Sequence, residues 1–162
     1  MKVHVLLADK GQQDPTGKLH LLGLGWSLTG ILPTGVTPDA VVVALIEAPW
    51  DRCNRPMQFV LELLNADASP VLLPGPNGPQ PLRAEQAMIA VPPQGAPNGT
   101  PGSAQFLIEI SGGLPLAPGQ RYLWRVTIDG ETNEAWETGF FVARSAQPPR
   151  FGADPAAPGP IG

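Results

Sequence analysis

The sequence predicts an all-β protein: an antiparallel two-sheet β-sandwich, immunoglobulin-like or jelly-roll-like, of about eight strands followed by a Pro/Gly-rich C-terminal tail. Three observations predict it. The stretch "RYLWRVTID" alternates Tyr122, Trp124, Val126 and Ile128 with Arg121, Arg125, Thr127 and Asp129, the period-two pattern of a half-buried strand. The 19 glycines and 21 prolines cluster at Pro70–Pro81, Pro92–Gly102, Gly112–Gly119 and Pro148–Gly162, between apolar runs. No segment carries a sustained helical period.

Taken in order, "KVHVLLAD" sets Val3, Val5 and Leu7 against Lys2, His4 and Leu6. The turn-rich "KGQQDPTG" follows, and the return "KLHLLGLGWSLTGIL" predicts a hairpin that turns near Gln12, with its glycines as bulges or bends in a long strand. "AVVVALIEA" is β-branched and apolar on both faces, as a central strand covered on each side would be. "MQFVLELLNA" has helix-forming residues but is stopped by Asn65 and Asp67 and sits among strands, so it is assigned as a strand. "LRAEQAMIAV" and "AQFLIEIS" add two more. Pro118-Gly119 launches the Arg121–Asp129 strand, and Asp129-Gly130 supplies the positive φ of a tight hairpin into "EAWETGFFVAR", where Trp136, Phe140 and Val142 share a face.

The length of 162 residues fits one domain with a real core. The sandwich is placed at 1–144 and an extended docking tail at 145–162. The tail is too rich in proline and glycine to build helix or ladder, and its large side chains are Arg150, Phe151 and Ile161. The loops Pro74–Pro81 and Pro92–Gly102 are stiffened by proline, and stiff loops lose less entropy on docking.

A net charge of −4 with no dense Lys/Arg patch argues against a nucleic-acid partner. No apolar run approaches a bilayer-spanning length, and Val3–Ala8 is too short for a secretory core, so neither a membrane nor signal-peptide export is expected. The single cysteine, Cys53, makes no internal disulfide. The expected location is the virion if the gene belongs to a phage, and otherwise the cytoplasm.

Candidate chemistry is sparse. His4 and His20 would face each other across the first hairpin, with Asp9 or Asp14 to lend an oxygen, but a zinc site needs further ligands, and solvent-facing strand residues are the default. Cys53 lies between Arg52 and Arg55, which favours a thiolate, yet no base is placed beside it and a small residue packed under a loop is the simpler account. "GLGWSLTG" has Leu28 where a dinucleotide loop needs its third glycine, and Ser27 lacks the final glycine of a nucleophile elbow. Glu131, Glu134 and Glu137 read as a solvated hairpin, and Asn98-Gly99-Thr100 as a turn. No catalytic residue, cofactor or metal site is therefore expected. Trp124 and Trp136 belong to the core, Trp26 and Trp50 are freer, and Trp50 at a strand end is the aromatic expected to meet a partner.

The stretches "VHVLLADKG", "GKLHLLGLGWSLT", "VVVALIEAPWDRCNRPMQFVLEL", "LPGPNGPQPLR" and "LAPGQRYLWRVTIDGETNEAWETGFFV" together resemble an uncharacterised family of actinobacterial and actinobacteriophage proteins. The resemblance covers most of Val3–Val142, is most specific in "DRCNRP" and "PGQRYLWRVTIDG", and stops before the tail. It implies a phage or phage-like setting and a compact β-sandwich, with no functional residues to carry over.

Two functions are expected from these features. The first is a non-enzymatic structural protein such as a capsid decoration or cement protein. It would be held to a capsid or other assembly subunit, or to copies of itself as a homo-oligomer, through its loops, Trp50, and the tail residues Arg150, Phe151 and Ile161. The second is a cytosolic small-ligand or carbohydrate-binding module, with Trp50 and the two proline-rich loops forming the site.

Overall fold

The computed structural model describes residues 1–144. Among the described residues the fold is all-β, with twelve strands and one 3-10 turn, Trp50–Arg52. The strands are β1 (Lys2–Ala8), β2 (Lys10–Gln13), β3 (Leu19–Leu22), β4 (Leu28–Thr29), β5 (Ala40–Ala48) and β6 (Pro56–Asn65). They continue with β7 (Leu72–Gly75), β8 (Gly78–Pro81), β9 (Arg83–Ile89), β10 (Gly102–Ile110), β11 (Gln120–Ile128) and β12 (Glu131–Val142). One sheet has the order β1-β5-β10 and the other β4-β12-β11-β6-β9, while β2-β3 and β7-β8 are separate ribbons. The sandwich expected from the sequence is present.

The β11–β12 hairpin forms as predicted, with Asp129 at φ 52° and Gly130 at φ 80° making its turn. Its alternation is realised in full: Tyr122, Trp124, Val126, Ile128, Trp136, Phe140 and Val142 are all buried. They face Val3, Val5, Leu7, Val42, Ala44 and Ile46 of the other sheet in one core. Phe59 of β6 and Phe106 of β10 close the far side at 4.8 Å between ring centres.

Three expectations need correction. The long strand after the first turn breaks at Gly23 and Gly25, whose φ values of 65° and 88° leave β3 and β4 on either side. The expected turn "KGQQDPTG" begins with β2, and the expected loop Pro74–Pro81 is the β7–β8 ribbon, in which Pro74 and Pro79 stand opposite each other. Proline survives there because a two-stranded ribbon has unpaired edges on both sides. The two sheets of the sandwich hold eight strands, as expected, the two ribbons add four, and the pairing of β4 with β12 is parallel.

The third correction concerns pairing. β1 does not form the first hairpin; it pairs antiparallel with β5, from Lys2 opposite Glu47 to Ala8 opposite Val41. The hairpin is β2–β3, turning at Asp14–Gly17, with Gln12 opposite His20. It folds back over the outer face of the β1-β5-β10 sheet, where Leu19 and Leu21 pack on Ala8, Val41 and Val43. That second small core is why β5 reads as apolar on both faces. Each fully buried valine there stabilises by about 1.5–3 kcal/mol. Gly11 permits the approach, since a Cβ at that position would lie 2.7 Å from Leu21 Cδ2.

The two sheets leave two ends. β6, β10 and β12 begin at one, and β1, β10 and β12 finish at the other.

Candidate functional site

At the first end the chain leaves β5, makes the Trp50–Arg52 turn and enters β6. Cys53 N–H donates to the Trp50 carbonyl and Asn54 N–H to that of Ala90, stitching the turn to the residues after β9. Val91 and Ser103 exchange backbone hydrogen bonds, tying the same segment to the start of β10. Arg52 meets Glu131 at 3.4 Å. Cys53 is buried under this knot, its thiol donating to the carbonyl of Pro49 at 3.4 Å, so it is a packed residue. Trp50 projects from the knot with 43% of its surface exposed, and Ile89 and Val91 on the adjoining segment are exposed by 51% and 52%.

At the opposite end the sheets part around a cavity of about 570 Å³, lined by Leu7, Trp26, Ile110, Leu114, Trp124 and Phe140 among others. Asp9, Lys10 and Asp39 stand at its rim. The same three residues border a second depression of about 580 Å³ under the β2–β3 hairpin, which also holds His20 and Glu109. Backbone bonds tie this end as well: Gly25 N–H donates to the Leu7 carbonyl, Gly119 N–H to that of Val142, and the Phe141 and Ala143 N–H groups to those of Ser27 and Thr29. Thr37 N–H donates to the Leu114 carbonyl and Leu114 N–H to the Thr37 hydroxyl, both at 2.9 Å. The Asp39 carboxylate accepts from Gly112 N–H at 2.8 Å, and the Tyr122 hydroxyl accepts from Ala117 N–H at 2.9 Å. Trp26 meets Phe140 edge-on, with ring centres 5.7 Å apart. Its indole Nε1 is shut off from solvent and has no hydrogen-bond partner among the described residues.

The structure separates what the sequence grouped. Trp50 precedes β6, whereas the β7–β8 ribbon is anchored on the far half of that strand, where Val71 N–H donates to the Leu63 carbonyl and Leu63 N–H to that of Leu82. Trp50 and the ribbon therefore do not form one site, although Pro92–Gly102 does border the Trp50 end. Arg150, Phe151 and Ile161 lie outside the described residues. His4 stands opposite Leu45 on β1 and His20 opposite Gln12 on β3, so the two histidines do not face each other. His20 instead meets Asp14 at 3.1 Å. The Thr16 hydroxyl, His20 and the Lys18 amide all donate to Asp14 and hold its carboxyl well below the usual carboxylate range. Glu137 is paired with Arg125 at 2.6 Å and Glu131 with Arg52, which spends two of the three hairpin carboxylates on ion pairs.

Sequence reasoning missed the cavity, whose walls come from β1, β10, β11, β12 and the Gly23–Pro38 connection. The available signal was Trp26, a large aromatic in a segment that glycines prevent from joining a sheet. No protein-family model matches the chain, and no curated protein matches it.

Proposed function

We propose that the protein is a non-enzymatic interaction protein, a rigid β-sandwich that joins a larger assembly by docking its Trp50 end on a protein surface, with further copies of the same chain as the first partner. One observation carries this reading: a tryptophan, an isoleucine and a valine are exposed at one end of the sandwich, on segments that the Asn54–Ala90 and Val91–Ser103 backbone bonds tie down. Aromatic anchors on rigid supports are the residues that dominate protein interfaces. The pre-ordered backbone also limits what docking loses in entropy. The buried, hydrogen-bonded Cys53 and the separated histidines are further support, because each is used structurally. The phage-virion setting, with a capsid as the surface and Arg150, Phe151 and Ile161 as a second anchor, belongs to the same proposal and rests on the resemblance.

Light scattering across a concentration series tests it. The full chain should associate, and Trp50→Ser should weaken that association at least about tenfold. Cooperative unfolding should stay unchanged, because Trp50 contributes little to the core. A full chain that associates equally well with and without the Trp50 indole, or does not associate at all, would overturn the proposal.

A further inference from the structure

We propose that the cavity at the open end of the sandwich is a binding site for a small amphipathic cation: an elongated apolar body with one protonated amine at its end. The site is distinct from the Trp50 surface and lies at the other end of the strands.

Size and lining set the body. A cavity of about 570 Å³ is within the range of small-molecule sites, and its deep walls, Leu7, Trp26, Leu114, Trp124 and Phe140, are apolar or aromatic. Such walls hold a chain of methylenes or a flat ring and gain by removing it from water. The cavity opens towards the depression under β2–β3, with which it shares Asp9, Lys10, Asp39, Ala40 and Ile110. A ligand longer than the apolar lobe therefore has its end guided into the polar one.

Charge sets the head group. Asp9, Asp39 and Glu109 bring three carboxylates to the two lobes, against the single ammonium of Lys10. None of these four makes an ion pair with another described residue. Asp39 gives one oxygen to Gly112 N–H and is thereby fixed in direction. A carboxylate held by the backbone is a pre-oriented partner for an ammonium group. An anionic head in the same place would meet three like charges. Trp26 lines the cavity with its ring, and its indole N–H is shut off from solvent with no acceptor among the described residues. Native structures rarely leave such a donor unused.

Calorimetric titration of the full chain with dodecylammonium, dodecanoate and dodecanol, each kept below its micelle concentration, tests the site. Dodecylammonium should saturate at one molecule per chain and bind about tenfold more tightly than dodecanoate, as one favourable charge contact in a partly buried site allows. Asp39→Asn, which keeps an acceptor for Gly112, should reduce the ammonium affinity about fivefold and leave dodecanol unchanged. Ala40→Phe, placed where the two lobes join, should weaken all three ligands. Its fold is checked by its unfolding midpoint, and Asp39→Asn carries the test if Ala40→Phe does not fold. Equal affinity for the two charged probes, unsaturable uptake, or an unchanged ratio in Asp39→Asn would each overturn the proposal. Trp50→Ser should have no effect in this titration, which separates its outcome from that of the assembly reading.

Discussion

The two ends of the sandwich are made by the same strands and closed by different means. At the Trp50 end, backbone pairs link segments distant in the chain: the 3-10 turn to Ala90, Val91 to Ser103, and Asp129 to Gln58, whose N–H the Asp129 side chain also caps at 2.8 Å. At the cavity end, the Gly23–Pro38 and Ser111–Gly119 connections meet chiefly through Thr37, Leu114 and Asp39. The ties at the Trp50 end set that side chain outward on a hydrogen-bonded support. The cavity end is tied too, with Gly25, Gly119, Phe141 and Ala143 donating backbone bonds there, yet a volume of about 570 Å³ stays between its connections and the strand ends. The proposed docking surface and the proposed ligand cavity thus lie at opposite ends of one architecture whose connections are tied differently.

Breaking the cavity end should give the largest effect. Gly113 has φ 69°, and a Cβ there would lie 1.7 Å from the Thr37 carbonyl oxygen. Gly113→Ala must push the two connections apart and abolish the Thr37–Leu114 exchange, at a cost of about 3 kcal/mol or more in urea unfolding. The neighbouring Gly112 has φ 79° with open space around it, so Gly112→Ala should cost only about 1 kcal/mol from backbone strain. Equal losses from the two substitutions would mean that the contact between the connections adds nothing to stability.

The Trp50 end is tested at Gly102, where a Cβ would lie 2.6 Å from Cys53 Sγ and 3.0 Å from backbone atoms of Val91 and Pro92. Gly102→Ala should cost about 2 kcal/mol by overpacking the knot. Cys53→Ala removes the sulfur from the clash, so the double variant should be more stable than the sum of the single losses by about 1 kcal/mol. Strict additivity in that cycle would show that Cys53 and Gly102 do not share one packed contact, and the image of a rigid platform under Trp50 would fail.

The contrast between the ends also explains what the sequence made legible. β11 and β12 are visible because Tyr122–Ile128 and Trp136–Val142 each repeat one inward-outward alternation for seven residues and because Asp129-Gly130 names its own turn. The central place of β5 is visible because both of its faces are apolar. The partner of β1 was not, since pairing with β5 joins residues about forty positions apart and competes with a nearer return strand that local pattern favours equally. The ribbons β2–β3 and β7–β8 hide in stretches whose Gly, Gln and Pro look like loop. Trp50 could be singled out because one residue at a strand end suffices to suggest exposure. The cavity could not, because its lining runs from Leu7 to Phe140 and has no period in the sequence.

The smallest expected effect distinguishes the hairpin that covers the cavity end from the sheets beneath it. Asp14 closes the β2–β3 turn by accepting from the Thr16 hydroxyl, from His20 and from the amides of Thr16 and Lys18, and its carboxyl is held below its ordinary value. A carboxyl with a lowered folded pKa contributes stability that is fully present above the unfolded value, about 3.9, and is lost as the pH falls through the folded value. The turn should therefore be unchanged from neutral pH to about 4.5 and loosen only in stronger acid. The Thr16 and Lys18 amide resonances should follow a single titration whose midpoint lies below that of a free aspartate. Asp14→Asn should erase that titration and leave the global unfolding midpoint nearly unchanged, since the bonds are near the surface. The Gln58 amide, capped by Asp129 at the other end, should not move with this titration. If the Thr16 amide instead titrated at the ordinary aspartate value, the carboxylate would be unpaired in solution, and packing of Leu19 and Leu21 on Val41 and Val43 would be left to hold the hairpin down.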